Sequence, residues 1–407
     1  MAGFAAVESA SAETPARRLG AVPREGERVT SLELFFDLVF VLAITQCTTL
    51  MGHDPTWRGI GQAMLVLGVL WWSWAGYAWL TSVVDPEEGL VRLAMFAAMA
   101  AFLVCAIAAP AAFGHLALAF ALAYGVVRLA HIALFLLASR DDPRLRSSVL
   151  GLAASTALAI ALLIAASGFD GAAQAALWVL AVALDFGGPY FFGTEGWRLV
   201  PGHFAERHGL IIIIALGESI VAIGVGARTH LDAGVIAAAA LGIALTAALW
   251  WSYFDVVAIV SARRLADAPA GRARNALARD SYSYIHLVMV AGIILAALGL
   301  RRTLGDVSSD LGAIPAFALA GGVGVYLLGL VAFRYRHIRS VNARRLALGL
   351  ACIAATPLAA ALPAVAVLAA LSGALAAVIA YDTHVYGEGR QRVRHGDAFV
   401  RREPAGG

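Results

Sequence analysis

The chain has 407 residues, 61% of them hydrophobic and only 14% charged, with a mean hydropathy of +0.79 and a formal net charge of +3. A water-soluble core cannot hide that much apolar surface, so the composition excludes a soluble globular protein and implies a polytopic membrane protein. A charge this small argues against a nucleic-acid-binding surface, because the basic residues have another explanation in topology.

Residues 1–28 are polar, alanine-rich and arginine-bearing, and no apolar run precedes Leu34. They read as a cytoplasmic tail and not as a cleavable signal peptide. A hydrocarbon core of about 30 Å takes roughly 20 apolar residues per helix. On that ruler the chain divides into twelve spans, at about 31–51, 59–82, 91–111, 116–138, 147–167, 172–192, 207–226, 233–259, 282–300, 311–333, 343–360 and 363–382. The last two are close enough that a tight turn near Pro357 and Pro363 must join them. All 30 basic residues are arginine, and 25 of them fall on the tails and loops that share the N-terminal side. Only Arg58, Arg228, Arg301 and Arg302 fall on the opposite side, and Arg128 lies within the fourth span. Arginine excess marks the cytoplasmic face, which places both termini inside a bacterial inner membrane. Cys47, Cys105 and Cys352 sit in spans without paired ligand spacing and are expected to pack as small apolar residues, so no metal or cofactor is expected.

The second half of the chain echoes the first. Trp71-Trp72-Ser73-Trp74 in span two is matched by Trp250-Trp251-Ser252-Tyr253 in span eight. Ala119 to Ala123 matches Ala316 to Ala320, and Asp185 matches Asp382, with the extra residues assigned to a long loop around 262–279. Six spans per unit is an even number, so both units insert in the same direction and the repeat is parallel. The expected architecture is therefore all-α, with about twelve transmembrane helices as two parallel six-helix repeats. A first repeat at 29–192 and a second at 206–385 are joined by a linker at 193–205, with a cytoplasmic C-terminal tail at 386–407. The tryptophans of spans two and eight read as anchors at the inner interface.

Span one, S-L-E-L-F-F-D-L-V-F-V from Ser31, drives two carboxylates into the start of an apolar run. Glu33 and Asp37 are four residues apart and share a helix face, which is costly unless protein, water or an ion solvates them. They are read either as a functional site or as a pair salt-bridged to arginine at the helix entry. Ile44 and Thr48 continue roughly the face of Asp37 and extend that stripe. Span seven begins E-R-H-G-L-I-I-I-I-A-L-G-E-S, with Glu206 and Arg207 at its cytoplasmic mouth. Glu218 lies twelve residues further on, about 18 Å deeper and near the bilayer midplane. Desolvation at that depth disfavours its charged form, so it either binds a proton or small cation or brackets two helices by hydrogen bonds. Ser219 and Gly217 beside it let another helix or a ligand approach closely.

Arg128 needs a counter-ion, and several carboxylates are available to it. Asp185, Asp255 and Asp382 lie near helix ends and are read as solvated or capping groups, while His131 and His286 complete the embedded ionisable set. The run H-F-A-E-R-H at His203 to His208 lacks the ligand order of a zinc protease helix. No nucleophile elbow or phosphate loop is evident, so no enzymatic reaction is expected.

S-L-E-L-F-F-D-L-V-F-V at Ser31 to Val41 and H-F-A-E-R-H-G-L-I-I-I-I-A-L-G-E-S at His203 to Ser219 resemble signatures of the bacterial low temperature requirement protein A family. The likeness extends over about residues 25–385. It implies a multi-spanning membrane protein linked to growth in the cold, a stress response without an established substrate. More distantly, F-F-D-L-V-F-V-L-A-I-T at Phe35 to Thr45 is similar to the F-S-D signature of the lysosomal potassium channel family, with Phe36 in place of the serine. The function expected is a proton-coupled secondary transporter whose site residues are Glu33, Asp37, Arg128, Glu206, Arg207, Glu218 and Ser219. Its partners would be the lipid bilayer and a proton or small cation. A cation channel and a non-transporting membrane scaffold are the alternatives.

Overall fold

The computed structural model describes residues 28–87, 89–193, 195–227 and 231–395. The tail expected at 1–28 lies outside these residues apart from Arg28, as do Arg228 and the last twelve residues of the C-terminal tail. Among the described residues there is no β-strand; Asp310 and Pro363 form an isolated antiparallel bridge. The first half consists of α1 (Ser31–His53), α2 (Trp57–Thr81), α3 (Gly89–Ala108), α4 (Ala117–Ala138), α5 (Pro143–Ala166) and α6 (Gly171–Phe191). In the second half, α7 (Pro201–Gly226) and α8 (Ala233–Phe254) are followed by α9 (Val257–Asp267) and α10 (Arg272–Ala278). A π-helical stretch, Arg279–Ile285, joins α10 to α11 (His286–Gly305), and a second, Phe317–Gly321, joins α12 (Ala313–Ala316) to α13 (Gly322–Ile338). The chain ends in α14 (Ala343–Ala354), α15 (Thr356–Ala359), α16 (Ala364–Val385) and α17 (Gly387–His395).

Eleven of these helical runs are long and apolar enough to cross a membrane. The eleventh expected span, 343–360, is instead broken into α14 and α15, with Pro357 in the first turn of the second piece, where its missing N–H costs nothing. About twelve membrane helices, all-α, is what the chain forms. The expected loop at 262–279 is largely helical, because α8 bends at Asp255 and Val256 into α9 and turns back through α10. α7 starts at Pro201, inside the expected 193–205 linker, and Trp197 and Leu199 of that linker are buried in the bundle.

Local signals set the helix starts. Thr30 caps α1 by accepting from the Glu33 N–H, and the Glu33 carboxylate returns to the Thr30 N–H in a capping box. Asp142 caps α5 ahead of Pro143, and Asp232 caps α8. Small residues set the helix spacing: a Cβ on Gly292 would stand 2.5 Å from the Tyr326 nitrogen, so α11 and α13 meet backbone to backbone. The expected interfacial role of the tryptophans fails for span two. Trp71 and Trp74 are wholly buried because α2 is ringed by α1, α4, α6, α7 and α11, whereas Trp250 and Trp251 on α8 face outward. Two of the buried indoles pair their N–H groups with the π-helical stretch ahead of α11, Trp71 with the Ser283 carbonyl at 2.7 Å and Trp79 with the Ser283 hydroxyl at 2.9 Å. The three cysteines are buried and unbridged.

Candidate functional site

α1 and α7 lie side by side in one register. Glu33 meets His203, Asp37 meets Arg207 and Thr48 meets Glu218, each pair separated by 170 positions. A constant separation along two helices means that they run parallel. The contacts fall into an inner group near the helix starts and an outer group near their ends, with Phe40, Ala43, Ile211 and Ala215 buried between them.

In the inner group, two residues four apart on α1 face two residues four apart on α7. The Glu33 Oε1 oxygen accepts from His203 Nε2 at 2.8 Å and lies 3.0 Å from an Arg207 amine, whose other amine donates to Asp37 Oδ1 at 2.7 Å. α2 completes the group from a third side. Trp74 Nε1 donates to Asp37 Oδ1 at 2.8 Å, the Thr81 hydroxyl accepts from Arg207 at 3.3 Å, and Ser82 Oγ lies 3.0 Å from His203 Nδ1. Glu33, Asp37, His203 and Arg207 are all within 1% of complete burial. Arg207 therefore does not stand at an open mouth as expected. Its guanidinium is drawn inward because two carboxylates and the Trp74 ring, 5.7 Å from its centre, compensate its lost hydration. Glu206, its neighbour, points the other way, is exposed and accepts from the Val29 N–H at 3.3 Å.

In the outer group both Glu218 carboxylate oxygens are held by α1 hydroxyls, Oε2 by Thr45 and Oε1 by Thr48, each at 2.6 Å. Glu218 is 4% exposed, and the Arg301 guanidinium lies against Gly52, one turn beyond Thr48 on α1. It is eight residues from the end of α7 and Thr48 is five from the end of α1, so Glu218 lies in the outer third of its helix, about 7 Å beyond the helix centre. The sequence estimate counted from Glu206, but α7 begins five residues earlier. Ser219 is buried with its hydroxyl unpartnered among the described residues, and Gly217 has open space where a Cβ would stand. Beyond Gly52, one turn outward from Thr48, a cavity of about 510 Å³ is bordered by Arg301 and Arg302.

Arg128 belongs to neither group. It pairs with Asp185 at 2.9 Å between α4 and α6, with Thr156 of α5 bonded to both and Tyr124 donating to the same carboxylate. Asp185 is thus an embedded counter-ion and not the solvated or capping group expected from its position near a helix end. Asp255 and Asp382 do lie towards the helix ends, but each is paired with arginine: Asp255 with Arg390 and Arg394, Asp382 with Arg344 and Arg345. His208 sits apart from His203 with the rings of His286 and Tyr282, and no cluster of three potential metal ligands occurs among the described residues.

The family model for the bacterial low temperature requirement A protein matches residues 28–380. The chain belongs to that family. An uncharacterised protein of Rhizobium meliloti (strain 1021) is similar to this family member, 30% identical over 282 residues that cover 66% of the chain and 67% of that protein. No solved structure matches. Of the site residues, the sequence reading missed His203 and Thr45 and left Thr48 as a bystander of the Asp37 stripe. The signal was present: His203 and Arg207 have the same i, i+4 spacing as Glu33 and Asp37, so two charged faces of opposite character were available to meet.

Proposed function

We propose that this protein is a proton-coupled secondary transporter of the bacterial inner membrane, with both tails cytoplasmic, and that Glu218 is its proton-binding group. What supports a proton site is the pair of threonines. Each hydroxyl that donates to Glu218 also has a second acceptor in its own helix, the Val41 carbonyl at 3.1 Å for Thr45 and the Thr45 carbonyl at 2.8 Å for Thr48. With Glu218 ionised, both hydroxyls donate to it. With Glu218 protonated, one hydroxyl turns to its helix carbonyl and accepts the new O–H. Both protonation states are then hydrogen-bonded without movement of the backbone, which is the condition for a proton to come and go at a buried group.

The inner ion cluster would act as the closed inner gate, sealing the α1 and α7 interface towards the arginine-rich face. Arg128 has no part in that gate, since Asp185 holds it elsewhere. The parallel register of α1 and α7 fits two six-helix halves related by an axis along the membrane normal. The neighbour order fits too: α1 on α3 and α3 on α4 correspond to α7 on α11 and α11 on α13. The family's name ties it to growth at low temperature, and transport in that setting is part of the proposal; no enzymatic reaction is assigned. The test is proton flux into proteoliposomes under imposed pH, potassium and sodium gradients, wild type beside Glu218→Gln. Loss of flux in a correctly inserted variant is expected, and unchanged flux would remove Glu218 from the path.

A further inference from the structure

On the arginine-rich face, away from both groups of the α1 and α7 interface, a cavity of about 470 Å³ opens between the ends of α8, α13 and α16 and the starts of α14 and α17. Its charged lining is Arg334, Arg344, Arg345 and Arg390 against Asp255 and Asp382. The two aspartates are already taken. Asp382 binds Arg344 at 2.9 Å, Arg345 at 3.5 Å and the Asn342 amide at 3.3 Å, while Asp255 binds Arg390 and also Arg394, at 3.5 Å. Arg334 has no carboxylate partner among the described residues. Its one hydrogen bond is to the Ser340 hydroxyl at 3.4 Å, and its Nε is buried without a partner, as is that of Arg345. Four guanidinium groups against two carboxylates that are already paired thus leave an excess of positive charge around one cavity.

We propose that this cavity binds a phosphoryl anion, through Arg334 and Arg345 with Ser340 as an added donor. The chemistry fits because arginine presents paired N–H donors that match phosphate oxygens, and a divalent or monovalent phosphate neutralises the surplus charge that the aspartates leave. The position favours a lipid headgroup, since basic pockets between membrane helices at the cytoplasmic interface are where anionic headgroups are held, and the cavity exceeds what a phosphate alone fills. A free phosphate offers the same oxygens and is separated from the lipid by experiment. None of this depends on the transport reading, because the cavity shares no residue with Glu218 or the inner ion cluster.

The protein is placed in nanodiscs of phosphatidylcholine alone and of phosphatidylcholine with phosphatidylglycerol. Its unfolding temperature is read by tryptophan fluorescence with inorganic phosphate or with chloride at equal ionic strength. A rise with phosphatidylglycerol, but not with inorganic phosphate, supports a headgroup site; a rise with inorganic phosphate in phosphatidylcholine supports a soluble phosphoryl ligand. In either case Arg334→Gln should weaken the apparent affinity about tenfold or more, the loss of one charge-assisted contact. If that variant does not insert, Ser340→Ala, which removes the added donor at a partly exposed position between helices, replaces it, and the wild-type titrations stand without either. No rise with either probe, or a rise that the inserted variant keeps in full, overturns the proposal.

Discussion

Arg207→Met tests whether the inner cluster is a true buried ion network. The wild-type guanidinium bridges two carboxylates, at 3.0 Å and 2.7 Å, that are otherwise enclosed. Removing it leaves Glu33 with His203 and Asp37 with only the Trp74 N–H. Breaking a buried pair from one side costs about 3–5 kcal/mol, because the remaining charge keeps its desolvation penalty. An ordinary hydrogen bond between membrane helices averages only about 0.6 kcal/mol, so the two descriptions differ several-fold in the expected loss. Reversible unfolding in mixed micelles, followed by tryptophan fluorescence, reads that loss. Adding Glu33→Gln and Asp37→Asn to Arg207→Met removes the stranded charges and should recover most of it. A single variant within about 1 kcal/mol of wild type, or a triple variant no more stable than the single one, would refute the ion-network account.

The same logic applies to α4 and α6: Arg128→Met should cost about 3–5 kcal/mol, while Arg128→Met with Asp185→Leu should cost clearly less, as measured by the same unfolding assay. At Gly292 a Cβ would meet the Tyr326 nitrogen, so Gly292→Ala should destabilise by about 1–3 kcal/mol through overpacking. Gly217→Ala, with open space at its Cβ, should be neutral or gain up to about 1 kcal/mol from helix propensity, and an equal penalty at both sites would contradict the packing described. Topology is checked by labelling intact cells with a membrane-impermeant maleimide. Ser308→Cys should react without permeabilisation and Ser147→Cys only after it, the native cysteines being buried; the reverse pattern would invert the orientation.

Helix positions were legible because membrane thickness imposes a length, and an apolar run of the right length has few alternatives. Where two short pieces replace one span, at α14 and α15, the run itself stayed apolar and only Pro357 marked the break. The error at 262–279 has a related cause. Arg263, Arg264, Arg272 and Arg274 make the segment look like a solvated loop, yet arginine is a good helix former, and α9 and α10 lie at the helix ends where such side chains reach water. The tryptophans of α2 were misplaced because the aromatic belt is a rule about depth. Depth does not say whether a side chain faces lipid or a neighbouring helix, and that is decided by how many helices surround α2.

Pairing was the least legible feature, and the reason lies in the kind of information required. Asp185 near the end of α6 has the same local sequence context whether it caps, meets water or binds Arg128; only the packing of α4, α5 and α6 distinguishes these. The α1 and α7 interface is the instructive exception. Glu33 and Asp37 facing His203 and Arg207 needed no packing detail, only the recognition that a single offset of 170 sets both carboxylates against both basic residues and then sets Thr48 against Glu218. One rigid register therefore fixes the inner cluster and the outer carboxylate together. A shift of α7 by one turn against α1, about 5.4 Å, would break the ion pairs and withdraw the threonine donors from Glu218 at once. Coupling between the two groups follows from that shared register, without any chain of side chains running between them.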